Sequence, residues 1–95
     1  MGERVIDSGG NVFTDLGFSP EEATLLAMRA KLMADIRETI ARRGWTQSQA
    51  ARGLGVTQSR ISDLTRGKWE KFSLDMLVTL AVLGGLRVQL EVAVP

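Results

Sequence analysis

The stretch from residue 46 to residue 68 constrains the fold most, because it holds two helix starts with a turn signal between them. Thr46 and Gln49 make a capping box at the first start, and Thr57 is the N-cap of the second. Gly55 lies between the two helices and can adopt the left-handed conformation that a tight turn requires. The sequence therefore predicts two short helices joined by a tight turn.

Small and apolar residues in this stretch fit two helices that cross steeply. Ala50 and Ala51 keep the first helix narrow where the second crosses it. Three apolar side chains fill the seam between the helices: Val56, Ile61 and Leu64. This is the arrangement of a helix-turn-helix unit, so we expect the stretch to bind DNA with its second helix in the major groove.

The second helix begins near Gln58 and carries one polar face. When the apolar residues of the seam point inward, the opposite face and the amino-terminal end present four candidate base readers: Gln58, Ser59, Ser62 and Asp63. Gln58 can pair with adenine, and Asp63 can accept a hydrogen bond from the N4 amino group of cytosine. For Asp63 the alternative is an ion pair with Arg60 or Arg66.

Basic side chains are concentrated in the same part of the chain. Residues 42–71 carry seven basic and two acidic side chains, whereas residues 1–28 carry one basic and five acidic ones. A locally basic surface suits a polyanion, because each neutralised phosphate releases counterions; a solvated charged face is the alternative. The candidate phosphate contacts are Gln47, Thr57, Arg60, Arg66, Lys68 and Lys71. Trp69, between the two lysines, either touches the sugar-phosphate backbone or covers the start of the last helix.

Helix-start and helix-stop signals divide the chain into three parts. Residues 1–18 are predicted to be an irregular N-terminal segment, residues 19–85 a helix-turn-helix domain, and residues 86–95 a C-terminal strand at a dimer interface. The domain begins with a long helix that extends to about residue 43 after a serine N-cap and a proline. Three shorter helices follow, at residues 47–53, 58–66 and 74–83.

Two groups of apolar residues are candidates for contact with another protein or a second subunit. Residues 86–94 alternate apolar and polar side chains, and such a strand needs a partner, either the N-terminal segment or the same strand of a second subunit. We favour the second subunit. In the long helix, one apolar stripe is predicted to face the core: Leu25, Met28, Leu32, Ile36 and Ile40. Leu26 and Met33 extend the apolar surface, as a broader core contact or as a partner surface. The candidate surface residues are Phe13, Phe18, Leu26, Met33, Val88, Leu90 and Val92.

Composition argues against enzymatic chemistry. The chain has no cysteine and no histidine, which removes thiolate metal sites, the commonest metal ligand and the usual general base. Neither pair of adjacent glycines belongs to a phosphate-binding loop. We therefore expect a non-enzymatic protein with no cofactor and no metal. The first ten residues lack the apolar segment of a secretory signal, and the apolar stretch 76–86 is too short to span a bilayer, so we expect a cytoplasmic location.

The motif residues resemble those of the phage-repressor or Cro type of helix-turn-helix, the Xre family. The shared residues are Thr-Gln at 46–47, Ala-Ala at 50–51, Gly-Val at 55–56 and Ile-Ser-x-Leu at 61–64. The resemblance, which covers residues 32–83, implies a mainly α fold, a lambda-repressor-like bundle of four to five helices, to which the predicted C-terminal β-strand is added.

The resemblance also implies roles for individual residues. In that family, the positions that match Gln58, Ser59 and Asp63 face bases, and those that match Gln47 and residues 67–71 touch phosphate. This sequence departs from the pattern at residue 53, where a glycine weakens the first motif helix by roughly 1 kcal/mol relative to alanine. Just before the first helix, a tryptophan at position 45 is expected to contact the alanine at position 50.

A larger part of the chain is similar to the HigA-type antitoxins of toxin–antitoxin operons. The similarity lies in residues 8–18, 19–22, 66–68 and 72–75. It implies a homodimer that binds double-stranded operator DNA in its own promoter and masks a small basic ribonuclease toxin; a dimer also predicts a palindromic operator. The acidic N-terminal third would contact the toxin, so removal of residues 1–18 is expected to leave operator binding largely intact. The alternative is a stand-alone Xre-type regulator without a toxin partner.

Overall fold

The computed structural model of the chain describes residues 11–95. Its regular structure consists of helices α1 at Val12–Asp15, α2 at Pro20–Arg42, α3 at Gln47–Leu54 and α4 at Gln58–Thr65, a 3-10 turn at Trp69–Lys71, and helix α5 at Leu74–Leu83. The mainly helical fold is confirmed. Helices α2 to α5 begin at the predicted residues and end within one residue of the predicted positions.

Side-chain caps explain why the longer helices begin where they do. Ser19 Oγ accepts a hydrogen bond from the backbone N–H of Glu22 at 3.3 Å, and Thr46 Oγ1 accepts one from Gln49 at 3.1 Å. Both glutamate and glutamine return the contact to the cap backbone, so α2 and α3 each begin with a complete capping box. At the other end of α3, Gly55 has φ 68° and ψ 34°, the left-handed conformation expected at the turn of the motif.

Helix α1 lies in the segment that the sequence predicts to be irregular. Asn11 is its N-cap: the Oδ1 atom accepts a hydrogen bond from the backbone N–H of Phe13 at 2.8 Å, and Nδ2 donates one to the backbone carbonyl of Ala23 at 2.8 Å. These two bonds tie α1 to the first turn of α2. A helix of four residues is too short to show a periodic pattern, which is why sequence reasoning missed it. The first ten residues of the predicted segment lie outside the described residues.

Helix α2 is central; its buried face follows the predicted stripe in the second half, where Ile36 and Ile40 are buried, but departs from it in the first half. Leu26 and Met33 are 5% and 1% exposed, whereas Leu25 and Met28 are 44% and 37% exposed. Phe13 is buried as well, against Leu26. The assignment of Phe13, Leu26 and Met33 to a partner or dimer surface is therefore wrong. Helices α1, α4 and α5 and the 3-10 turn all pack on α2, and these contacts decide which of its side chains are buried.

Two clusters of buried side chains hold the helices together. The smaller joins α1 to α2 and consists of Phe13, Ala23 and Leu26. The larger, in the middle of the molecule, contains residues of α2, α3, α4 and α5 and includes Met33, Ile36, Leu54, Ile61, Leu64, Phe72 and Leu77. Trp69 in the 3-10 turn packs against both clusters.

The crossing of α3 and α4 follows the predicted arrangement. Ala50 and Ala51 are buried in α3, and Ile61 and Leu64 are buried in α4, while Val56 in the turn is half-buried and packs against the same cluster. The small side chains on α3 let α4 approach closely. The rotation of α4 about its own axis is thereby fixed, which decides the side chains that it presents to solvent.

The ring of Trp45 lies against Gly53 near the end of α3, and it packs against the larger cluster, which includes Ala50. A Cβ atom added at Gly53 would lie 2.6 Å from Cη2 of the indole, so the ring occupies the space that any other residue would need at this position. The guanidinium of Arg43 stacks on the same indole, with its Cζ 4.9 Å from the centre of the Trp45 ring. Glycine at position 53 weakens the helix, but the space that a side chain would need there is occupied by the Trp45 ring.

The C-terminal residues 86–95 form no strand in the part of the chain that the structure describes, residues 11–95. Leu86 packs against the larger cluster, and beyond it the apolar side chains are exposed: Val88, Leu90, Val92 and Val94. No helix within residues 11–95 has the length and apolar character needed to cross a membrane.

Candidate nucleic-acid interface

The outer face of α4 is polar and lies open at its amino-terminal end. Because Ile61 and Leu64 are buried, Gln58 and Ser59 point into solvent and are exposed. Ser62, one turn further on, is half-buried. A short, polar surface of this kind can approach the edges of base pairs without steric hindrance.

The start of α4 also provides groups suited to a phosphate. Thr57 caps the helix, since its Oγ1 accepts a hydrogen bond from the backbone N–H of Arg60 at 3.1 Å. The first N–H groups of any helix lack partners within it and carry the positive end of the helix dipole. Gln47 occupies the same place in α3, directly after the cap Thr46, and is exposed. Both short helices therefore begin with exposed polar groups at the motif.

Asp63 lies on the polar face with an ion pair at its side. Its Oδ1 is 3.9 Å from Nζ of Lys68, and the two side chains are 24% and 42% exposed. The partner is thus Lys68, and not Arg60 or Arg66 as the sequence suggested. A partly exposed pair at this distance contributes at most about 1 kcal/mol, but it offsets part of the carboxylate charge on the polar face of α4.

Arg60 is tied to the segment that follows α4. Its Nη1 donates a hydrogen bond to the backbone carbonyl of Lys71 at 3.0 Å, and its Cζ lies 5.4 Å from the centre of the Phe72 ring. The side chain is half-buried in this position. Arg66 and Lys71 are exposed, so among the predicted phosphate contacts they are the freer cations.

Three aromatic rings meet beside the 3-10 turn. The Trp69 ring centre lies 5.8 Å from that of Phe13 and 6.2 Å from that of Phe18, with interplanar angles of 82° and 85°. Phe13 and Phe18 are themselves 6.2 Å apart in an edge-to-face contact. Trp69 therefore packs on the N-terminal aromatic residues. Neither of the two positions predicted for it includes this contact. Phe18 is half-buried in this cluster.

A side chain of α2 supports the far end of α4. Arg37 Nη1 donates a hydrogen bond to the backbone carbonyl of Leu64 at 3.3 Å. This carbonyl belongs to the last turn of α4 and also accepts a hydrogen bond from the backbone N–H of Gly67 at 3.1 Å, so Arg37 adds a second bond to it. Sequence reasoning missed Arg37 because an arginine on a helix surface gives no sign of its partner 27 residues away.

The comparisons with known proteins agree with this geometry. A family model described as "Helix-turn-helix domain" matches residues 12–93, which is nearly all of the part that the structure describes. No curated protein matches the chain.

Proposed function

The chain belongs to this helix-turn-helix domain family, which indicates a DNA-binding regulator of transcription, and we propose that it is a sequence-specific repressor that reads operator DNA with α4. The observation that carries the proposal is the rotation of α4, which buries Ile61 and Leu64 and leaves Gln58 and Ser59 exposed at the amino-terminal end. In helix-turn-helix proteins, this end of the second helix contacts base edges.

The base contacts are assigned from the chemistry of the exposed groups. The Gln58 amide can donate to N7 and accept from N6 of adenine, and the hydroxyls of Ser59 and Ser62 can bond to several bases. Asp63 is half-buried and is paired with Lys68, so it can accept a hydrogen bond from cytosine only when the ion pair opens. Gln58 and Ser59 are therefore the principal readers.

Phosphate contacts come from both sides of α4. The start of α3 with Gln47, and the start of α4 with Thr57, present N–H groups and side chains to one strand of the duplex. Arg66, Lys68 and Lys71 follow α4 and add positive charge. These contacts fix the position of the protein on DNA and carry no sequence information.

We further propose that the protein acts as a homodimer through its C-terminal residues. Residues 86–94 retain the alternating pattern of a strand, and Val88, Leu90 and Val92 are exposed in the single chain. Pairing of this segment with the same segment of a second copy satisfies its backbone groups and covers the apolar side chains around a two-fold axis. Two α4 helices related in this way require a palindromic operator, with half-sites about 34–36 Å apart.

Selection of preferred sequences from a random pool of duplex DNA tests the repressor proposal. We expect a palindrome whose half-sites each contain a position that depends on Gln58. Repeating the selection with Gln58→Ala should remove the preference at that position and keep the rest. A variant with an unchanged consensus would show that α4 is oriented differently on DNA, and the absence of any enriched sequence with the wild-type chain would contradict sequence-specific binding.

A second candidate function is that of the antitoxin of a toxin–antitoxin pair, in which the chain also binds a small basic ribonuclease toxin. It is supported by the resemblance described above and by the charge of the N-terminal region, where Asp15, Glu21 and Glu22 are exposed. Exposed apolar side chains accompany them in α1 and in the first half of α2: Val12, Leu16, Leu25 and Met28. An acidic surface with apolar side chains fits a basic protein partner.

The neighbouring gene separates this candidate from a stand-alone regulator. An adjacent small basic protein, toxic alone and harmless when produced with this chain, would support the antitoxin; a gene without such a neighbour would favour the stand-alone regulator. The double variant Glu21→Lys with Glu22→Lys should weaken capture of the toxin. Glu70→Lys is the matched control, since it changes an exposed acid outside the N-terminal region. Equal loss of capture in both variants would exclude the N-terminal surface.

A further inference from the structure

We propose that Trp69 is a positioning residue for DNA binding, which holds the 3-10 turn where Lys68 and Lys71 reach the phosphates beside α4. This inference rests on the proposed DNA-binding function and assigns a role to a side chain that itself touches no DNA. The turn is the connection between α4 and α5; Lys68 directly precedes its 3-10 helix, and Lys71 is the last residue of that helix.

The first step is the attachment of the turn to the body of the protein. The Trp69 ring packs edge-to-face on Phe13 and Phe18 at 5.8 Å and 6.2 Å, and it touches both buried clusters. Within Trp69–Lys71, the other two residues are exposed and polar. The indole is therefore the apolar anchor at the start of the turn, and Phe72, which follows Lys71 and is buried in the larger cluster, anchors its end.

The second step is the attachment of the turn to α4, which is polar and partly exposed. Nζ of Lys68 lies 3.9 Å from the Asp63 carboxylate, and the backbone carbonyl of Lys71 accepts the hydrogen bond from Arg60 at 3.0 Å. The backbone N–H of Lys68 also donates to the carbonyl of Asp63 at 3.0 Å. Exposed polar contacts of this kind hold a geometry weakly, because water competes for each of them.

The consequence is a link between α1 and the DNA-binding surface. When the indole is removed, the start of the turn is held only by weak contacts to α4, while buried Phe72 still holds its end. The ammonium group of Lys68 in particular then spreads over more positions than the phosphates occupy. The N-terminal residues thus contribute to DNA binding through Phe13 and Phe18. This modifies the expectation that removal of residues 1–18 leaves operator binding largely intact: the structure predicts a loss of affinity.

The test measures how DNA affinity depends on salt, because the slope of log K against log [salt] changes by about 0.9 for each phosphate contact. We expect Trp69→Ala to make the slope less steep by about 0.9 to 1.8 per protomer, the equivalent of one or two contacts, and to leave the order of preference among DNA sequences unchanged. Trp69→Phe keeps an aromatic ring on Phe13 and Phe18 and should restore most of the slope.

A stability-matched control separates positioning from a general loss of folding. Leu77→Ala removes a fully buried side chain of α5 from the larger cluster and leaves the turn untouched. At a temperature where circular dichroism shows all variants folded, Leu77→Ala should have the wild-type slope. If Trp69→Ala does not fold, Phe18→Ala replaces it, since Phe18 is half-buried and contacts the Trp69 ring. Loss of the Phe18 ring should make the slope less steep by a smaller amount.

Three results would overturn the proposal. A folded Trp69→Ala, or in its place a folded Phe18→Ala, with the wild-type slope would show that the indole only stabilises the fold. An equal change of slope in Leu77→Ala would show that the effect is not specific to the turn. A wild-type chain that binds no DNA at any salt concentration would refute the proposed function itself, which distinguishes that failure from the failure of this inference.

Discussion

Because of the contact between Trp45 and Gly53, we expect Gly53→Ala to destabilise the protein, whereas helix propensity alone predicts that it stabilises it. In an exposed helix position, replacement of glycine by alanine stabilises a protein by about 1 kcal/mol. At Gly53 the new Cβ would lie 2.6 Å from Cη2 of the Trp45 ring and 3.0 Å from Cζ3, closer than two carbons approach without a shift. The rigid ring must move as a whole, and it also carries the stacked guanidinium of Arg43.

The magnitude follows from the balance of these two effects. Overpacking of a well-fitted site costs about 1–3 kcal/mol, and the propensity gain offsets about 1 kcal/mol of it. We therefore expect Gly53→Ala to change the free energy of unfolding by between about 0 and −2 kcal/mol, the negative sign meaning destabilisation. For a domain of this size, each 1 kcal/mol corresponds to about 4–8 °C in Tm, which thermal unfolding followed by circular dichroism resolves.

A double-mutant cycle isolates the contact from other effects of the alanine. In a Trp45→Ala background the ring is absent, so Gly53→Ala should now stabilise the protein by about 1 kcal/mol. Ser48→Ala is the matched control, because Ser48 is exposed on the same helix and gains propensity without meeting the ring. It should give the same small gain in both backgrounds. Stabilisation by Gly53→Ala in both backgrounds would refute the steric argument.

Substitutions at three other positions test separate parts of the structure. Leu64→Ala, at a fully buried position of α4, should lower the free energy of unfolding by about 2–5 kcal/mol in urea titrations. Asn11→Ala removes the cap of α1 and its bond to α2, and should cost about 1 kcal/mol and speed amide exchange in α1 while α4 keeps its protection. Arg37→Met should cost about 1 kcal/mol through the lost bond to the Leu64 carbonyl, and Arg37→Lys should recover part of it, as measured by Tm.

The parts of the fold that the sequence predicted are those determined by neighbouring residues. A cap such as Thr46 needs only the residue three positions later, and a turn glycine such as Gly55 needs only its own backbone angles. The inward orientation of Ile61 and Leu64 follows from the same local pattern, and with it the exposure of Gln58. Local signals of this kind place the helices and the candidate reading face.

The parts that the sequence did not predict depend on contacts between distant residues. The stripe through Leu25 and Met28 is regular, but the helices packed on α2 select the face that contains Leu26 and Met33, and a periodic pattern does not name its partner. The meeting of Phe13 with Trp69 has no signal within either segment. The alternating pattern of residues 86–94 likewise does not name the partner with which such a strand would pair.

The contact between Phe13 and Trp69 has a consequence for the order in which the protein folds. It closes a loop that contains α2, α3 and α4, whereas the seam of the motif closes within a few residues of the turn at Gly55. Because closure of a longer loop costs more chain entropy, the motif can form before the N-terminal cluster does. On the ribosome, Phe13 emerges before Trp69, so this contact can form only after all of α4 has been synthesised.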